Sequence, residues 1–390
     1  MSRFLHTADW QIGRQYGQFA PEDAVPLAES RLDAIERIAA LATDRQVDAV
    51  LVAGDVFDAQ TVAERTLRRS FNALRGFAGR WIMISGNHDA ALAESVWTRA
   101  RRLGLFPDNL LLLDRPGVTL LPDIGCAVLA APLTQRHTYA DLTADFGDWH
   151  TPDALLRIGM AHGSVQGVLA EGIDATNPIA ADRARLSRLD YLALGDWHGM
   201  KRIDERTWYS GTPEPDRFRN NEAGQVLEVA IERPGATPVV TAHAVGRYRW
   251  NDWQEELRVA SDIERLAQRL SAVQPHDVVH LALSGQCDLA GHRLIEQLLG
   301  EAAGRARSLQ VERAALRLLP TDDDMAALRA DGYLGEVLAS LRERQADAAV
   351  VNPAVPGDEP AEAEVAREAL AVLAGILSAR NAAPHDKAAP

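Results

Sequence analysis

Five times in the first 198 residues, an apolar run of strand length stops at a side chain able to hold a metal ion. The stops are Asp9 and Gln11 in "TADWQIG", Asp55 in "AGDVFD", Asn87 and His88 in "SGNHD", His162 in "MAHGS", and Asp196 and His198 in "LGDWHG". Between the first three runs lie segments with apolar residues at helical spacing. One covers residues 28–45, with Leu32, Ile35, Ile38 and Leu41 on a single face, and the other is "VAERTLRRSFNALRGF". Alternating strands and helices predict an α/β layered fold with parallel pairings. Ligands of open α/β sheets bind at the carboxyl ends of the strands, so the five stops are expected to converge on one edge. Further strands are expected near 110–113, 126–131, 157–162, 190–195 and 207–210, with a hairpin from 225–232 and 238–246 around "ERPGATP".

Taken singly, the stops are ordinary. Gly-Asp after a strand is common turn chemistry, and a single His is more often solvated or satisfied than a ligand. "GNHD" is more specific, because Asn-His-Asp has no reason to end a core strand. The series weighs more than its members. Carboxylates, an Asn carbonyl and imidazoles together suit Mn²⁺, Fe²⁺ or Zn²⁺ rather than a structural zinc built of thiolates. One Asp shared between two ions makes a two-metal site suited to in-line displacement at phosphorus.

Bulk properties narrow the classes. The 390 residues leave room for two domains, and 47% hydrophobic with 25% charged residues is ordinary for a globular protein. No apolar stretch approaches the ~18 residues of a membrane span. "MSRFLHTADW" lacks the apolar core of a signal peptide, and Cys126 and Cys287 stand far apart, so a reduced, cytoplasmic protein is expected. A net charge of −14 argues against a surface that binds nucleic acid everywhere, but leaves room for a local basic groove. Three regions are expected. Residues 1–246 form the α/β domain that carries the stops. Residues 247–350 form a smaller α/β unit ("DIERLAQRLSAV", "DVVHLALSG", "GHRLIEQLLGEAAGRA", "VERAALRLLP"). Residues 351–390 hold a Pro/Gly-rich linker, a helix expected to bind a partner, or else to pack onto the smaller unit, and a disordered tail. In that helix Val365, Ala369, Leu370, Leu373, Ile376 and Leu377 share a face, and Asp358, Glu359, Glu362 and Glu364 crowd its first turns.

The series D-x-x, GD-x-x-D, GNHD, HG and G-x-x-H resembles the calcineurin-like metallophosphoesterase superfamily. Within it, "HTADWQIGR" is similar to the opening "HTSDWHLGR" of SbcD-type DNA repair nucleases. The resemblance covers roughly residues 3–246, and the unit after it sits where that family carries a DNA-capping domain. It implies one metal on Asp9, the residue at Gln11, Asp55 and His198. The other metal would lie on Asp55, Asn87, His162 and the residue at Asp196, with His88 as the catalytic acid toward the leaving 3′ oxygen. Asp58 and Asp89 are candidates to orient ligands or His88. Two positions depart from the pattern: D-x-H reads "DWQ", and G-H-x-H reads "GDWH". Asp196 remains able to coordinate and favours a hard ion such as Mn²⁺ or Mg²⁺, whereas Gln11 is a weaker replacement.

For DNA, Arg14, Arg217 and Arg219 are the candidate phosphate contacts, with Arg65, Arg68, Arg69 and Arg99, Arg101, Arg102 on helices whose bland reading is a solvated face. Trp10 and Trp197 are expected to point into the core. The resemblance implies two divalent ions, most often Mn²⁺, and DNA, an SbcC-type coiled-coil ATPase and a second copy of the chain as partners. The expected function is a metal-dependent DNA nuclease acting in repair. The alternatives are a catalytically weakened scaffold that binds DNA ends and the ATPase, and a phosphoesterase of other substrates.

Overall fold

The computed structural model describes residues 1–168, 176–321, 324, 333–349, 365, 366, 368–373 and 376. It divides into two compact units, Met1–Trp250 and Asn251–Pro390.

The first unit runs β1 (Ser2–Thr7), α1 (Pro21–Asp44), β2 (Ala49–Ala53), α2 (Glu64–Ala73), β3 (Arg80–Ile84), α3 (Val96–Arg102), β4 (Leu110–Leu113), β5 (Gly117–Leu121), β6 (Cys126–Ala131), β7 (Leu156–His162), β8 (Ser164–Val165), β9 (Pro178–Ile179), α4 (Arg183–Leu186), β10 (Tyr191–Gly195), β11 (Lys201–Arg202), β12 (Thr207–Tyr209), β13 (Gln225–Ile231) and β14 (Val239–Ala244). Two six-stranded sheets result, ordered β14-β13-β1-β2-β3-β4 and β11-β12-β10-β7-β6-β5. β1 through β4 pair in parallel, as do β6, β7, β10 and β12. The expected hairpin is β13–β14, antiparallel from Gln225↔Ala244 to Ala230↔Val239.

Strand alternation sorts the core into layers. Phe4, Leu51, Ala53, Ile82 and Ile84 face Val128, Ala130, Ile158, Met160 and Ala193 of the second sheet. Their neighbours Leu5, Val50, Val52, Trp81 and Met83 turn to Leu32, Ile35, Ile38, Leu67 and Trp97 of the helices. Central parallel strands buried on both faces read as continuous apolar runs, which is why "AVLVA" and "YLALG" show no period of two. Each such Leu, Ile or Val stabilises the fold by about 1.5–3 kcal/mol. Trp10 is buried with its indole edge against Trp81 and its Nε1–H donated to Thr7, as alternation predicts. α1 starts seven residues before the periodic segment, because Pro21 suits the first turn and Glu22 and Asp23 meet the positive end of the dipole.

The second unit holds β15 (Arg249–Leu257), α5 (Ala260–Ser271), β16 (Asp277–Cys287), α6 (Leu289–Ala303) and β17 (Ser308–Leu318), then a helix over Tyr333–Ala349. β15, β16 and β17 form one sheet, with β16 and β17 parallel. Leu257, Leu266, Leu270, Leu281, Ile295 and Leu299 make its core. Strand β15 shows no strand signal in the sequence because "RWNDWQEEL" is mostly charged and polar, and only its Glu255 and Leu257 end is buried. Of the C-terminal apolar stripe, Leu370 is buried with Leu289 and Leu338, and Leu373 packs beside them, while Val365 and Ile376 are exposed. The linker 352–360, Asp358, Glu359, Glu362, Glu364, Leu377 and the tail from residue 381 lie outside the described residues. Among the described residues no helix is long and apolar enough to cross a membrane.

Candidate metal centre

Parallel pairing brings the carboxyl ends of β1, β2, β3, β7 and β10 to one edge of the first unit, with Gly195 beside His162 in register. The loops after β1 and β2 run side by side: Asp9 N donates to Gly54 O, Gln11 N to Asp55 O and Ile12 N to Val56 O. Asp9, Gln11, Asp55 and Asp196 all take positive φ, at 55°, 44°, 53° and 103°. Side chains at such angles cost about 1–3 kcal/mol each, and strain of this kind clusters at functional sites. Gly54, at φ 93°, and Gly86 complete the turn, because a Cβ on Gly54 would strike the His162 ring and one on Gly86 the Asp55 carboxylate.

Asp9, Asp55 and His162 present ligand atoms within 4.8 Å of one another, and the three are 0, 1 and 2% exposed. Asp196 Oδ1 lies 3.8 Å from His162 Nε2, and Asp55 Oδ1 3.6 Å from it. His162 Nδ1 donates to Ala53 O at 2.8 Å, which leaves Nε2 as the ligating nitrogen. The Asn87 carbonyl oxygen stands 3.0 Å from that Nε2 and 3.0–3.2 Å from both Asp55 oxygens. Turned over, the amide would donate to the same three atoms. Either face of the Asn87 side chain therefore reaches Asp55 and His162, with the carbonyl oxygen available to an ion in one orientation and the NH₂ satisfied by the carboxylate in the other. Burial pushes the Asp9 carboxyl up to about 6. Burial also opposes a charge on His162, but the Asp55, Asp9 and Asp196 carboxylates outweigh it and raise the imidazole to about 9. A cluster this short of positive charge takes up a proton or a metal, and its carboxylate, amide and imidazole donors fit a divalent ion.

His88 stands at the rim. Its main-chain N–H donates to Asp55 Oδ1, its Nδ1–H donates to Asp58 O at 2.7 Å, and Nε2 stands 4.0 Å from Asp55 Oδ2 on a half-buried side chain. Asp58 therefore orients His88 through its main-chain carbonyl, while its carboxylate lies 3.8 Å from Arg14. Asp89 is fully buried and ties two loops together, accepting from Val56 N, Phe57 N and Gly86 N. Burial and the nearby Asp55 charge push its carboxyl up to about 7.

Gln11 and His198 meet on the other side. Gln11 Nε2 is 3.2 Å from His198 Nε2, and Gln11 Oε1 accepts from Arg14 at 2.8 Å. Behind His198 stands Asp216, which no sequence motif singles out. Its carboxylate is 3.0 Å from His198 Nδ1, 3.0 Å from Arg217, 3.3 Å from Arg14 and 3.6 Å from the buried Arg31. Burial works against ionisation there, but the His198 hydrogen bond, Arg217 and Arg31 hold the group far below the usual carboxylate range. Arg14 and Arg217 are thus engaged in the centre, whereas Arg219 is exposed. Arg68 pairs with Glu64, Arg69 with Glu29, Arg101 with Asp114 and Arg102 with Glu94, in keeping with solvated helix faces.

A two-sheet α/β sandwich with carboxylates, an amide and imidazoles gathered at the strand ends is the architecture of a metallophosphoesterase. Residues 2–243 match the calcineurin-like phosphoesterase family, and the chain belongs to it. It is similar to the SbcD component of the SbcCD nuclease of Bacillus subtilis, 36% identical over 70% of this chain and 82% of that one. It is also similar to the corresponding SbcCD component of Rhodobacter capsulatus, 30% identical over 55% of this chain and 62% of the other. Similarity extends to the DNA double-strand break repair protein Mre11 of Methanosarcina acetivorans, 27% identical over 77% of this chain and 49% of that one. The chain spans about six tenths of the length of the Rhodobacter relative.

Proposed function

We propose that the chain is a metal-dependent DNA phosphodiesterase, the nuclease component of a cytoplasmic repair complex with an SbcC-type coiled-coil ATPase. The observation that carries the reading is His88. Its Nδ1–H is fixed on a main-chain carbonyl, and its Nε2 stands 4.0 Å from a buried carboxylate of the anionic cluster, on a side chain that is partly exposed. When bound, a divalent ion supplies positive charge for phosphoryl oxygens and activates water as nucleophile. Asp55, Asn87 and His162, with Asp9 and Asp196, are the side chains that would hold it. Mn²⁺ is the preferred ion, because three of the five are carboxylates. His88 gives a proton from Nε2 to the leaving 3′ oxygen as the P–O bond breaks. Asp58 and Ala53 act through their carbonyls, fixing the rings of His88 and His162. The names of the relatives, a subunit of the SbcCD nuclease and a DNA double-strand break repair protein, support DNA as substrate and a second kind of subunit as partner. A second copy of the chain belongs to the same reading; of the two ions that the resemblance implies, the side chains named above would hold one.

One observation favours a weakened nuclease that serves chiefly as a scaffold: the Gln11 amide lies against His198, where the family pattern has an imidazole. A substrate panel separates the readings. With Mn²⁺, the first predicts cleavage of linear duplex or single-stranded DNA and of a phosphodiester such as bis-p-nitrophenyl phosphate, with little action on a monoester. DNA binding without cleavage of any ester would favour the scaffold. Preferential monoester hydrolysis would sink both.

A further inference from the structure

The second cation position of the family pattern is built differently in this chain. Gln11 Oε1 accepts from Arg14, and a guanidinium can only donate, so the orientation of the amide is fixed. Its NH₂ then faces His198 Nε2 at 3.2 Å and fills the place from which an ion would reach that nitrogen. The other ring nitrogen, Nδ1, has Asp216 Oδ2 at 3.0 Å and Arg217 Nη2 at 2.9 Å, so both edges of the ring are already engaged by protein groups. A cation at this position would have to displace the Gln11 amide and sit against a guanidinium that Asp216 and Asp58 hold in place. The donors on this side do not fit a second metal ion. They do hold a fixed positive charge. The Arg14 side chain is 23% exposed, so its charge stands at the surface of the centre where a phosphate would arrive.

We propose that the centre holds a single divalent ion, on Asp55, Asn87 and His162 with Asp9 and Asp196, and that Arg14, set by Gln11 and Asp216, supplies the charge of the second. The inference rests on the metal-dependent phosphodiesterase reading and refines its ion count. Guanidinium groups serve this purpose on phosphoryl oxygens elsewhere, because their donors match phosphate geometry and their charge is permanent.

The test counts ions. Metal-free protein is saturated with Mn²⁺, freed of excess on a desalting column, and measured by elemental analysis and electron paramagnetic resonance. The expected result is about one Mn²⁺ per chain, with the hyperfine-split spectrum of a magnetically isolated ion, lost in His162→Ala. Gln11→His combined with Arg14→Gln should raise the count to about two and broaden the spectrum to that of a coupled pair. About two ions in the wild type would overturn the proposal and leave the phosphodiesterase reading standing. No ion in the folded wild type would overturn both. The wild-type count decides without any variant.

Discussion

At position 216 a carboxylate with 1% of its side chain exposed meets three guanidinium groups and an imidazole. Removing one partner of a buried charge cluster leaves the others uncompensated, at a cost of about 3–5 kcal/mol. Asp216→Asn should therefore lower unfolding stability by about that much at pH 7, measured by denaturant titration. The sign of the pH dependence follows from the depressed value. Unfolded, the carboxyl titrates near its ordinary value of 3.8, and folded, it titrates far lower. The stability it contributes is full above about pH 4 and is lost as pH falls toward the folded value. The gap between wild type and Asp216→Asn should accordingly narrow below pH 4. Neither Asp216 nor Arg31 was legible in the sequence. "EPDRFR" reads as a polar loop, and Arg31 is a lone Arg on the apolar face of α1. Their meaning comes from convergence across 185 residues of chain, which no local pattern records. By residue type, Gln11 suggests a weak ligand or a partner of water. Its amide is instead turned by Arg14, three residues on, a contact that residue type alone does not encode.

The strand–loop junctions are the elements that were most legible. An apolar run, then Gly, then a metal-capable side chain marks both the end of a buried strand and the place where the chain must turn sharply. That is why Asp55, Asn87, His162 and Asp196 stand out in the sequence as candidates, and the fold brings them to one edge. The cost of the geometry was not readable. Gly54 is locked at φ 93° with His162 packed over it, and a methyl there has nowhere to go. Gly54→Ala should displace the His162 ring and weaken Mn²⁺ affinity about 10–100-fold, the range seen when ligand support is lost. Isothermal titration with Mn²⁺ checks this, and unchanged affinity would mean that His162 is not a ligand. Charged strands such as β15 stayed hidden because only one end of them is buried, which leaves almost no periodic signal.

For the whole molecule, the first unit was legible as an alternating α/β domain, and the second as a smaller α/β unit whose last segment was the open point. The apolar stripe near the C-terminus was expected either to meet a partner or to pack at home. Leu370 packs at home, against Leu289 and Leu338, while Val365 and Ile376 remain exposed. Leu370→Ala should cost the second unit about 2–5 kcal/mol, read from hydrogen exchange in α6, with β1 and β2 unaffected. Loss of ATPase binding without loss of protection would instead assign Leu370 to a partner. Function at every scale depends on the strand-end cluster being a working centre with His88 as its proton donor. The most direct test is cleavage of linear duplex DNA across a Mn²⁺ series by the wild type and by His88→Ala, with bound metal assayed on the same samples. Cleavage that needs Mn²⁺ and falls by about 10²–10⁴ in His88→Ala, with metal content unchanged, is the predicted result. Cleavage that survives the substitution, or bound metal that vanishes with it, would contradict the role assigned to His88.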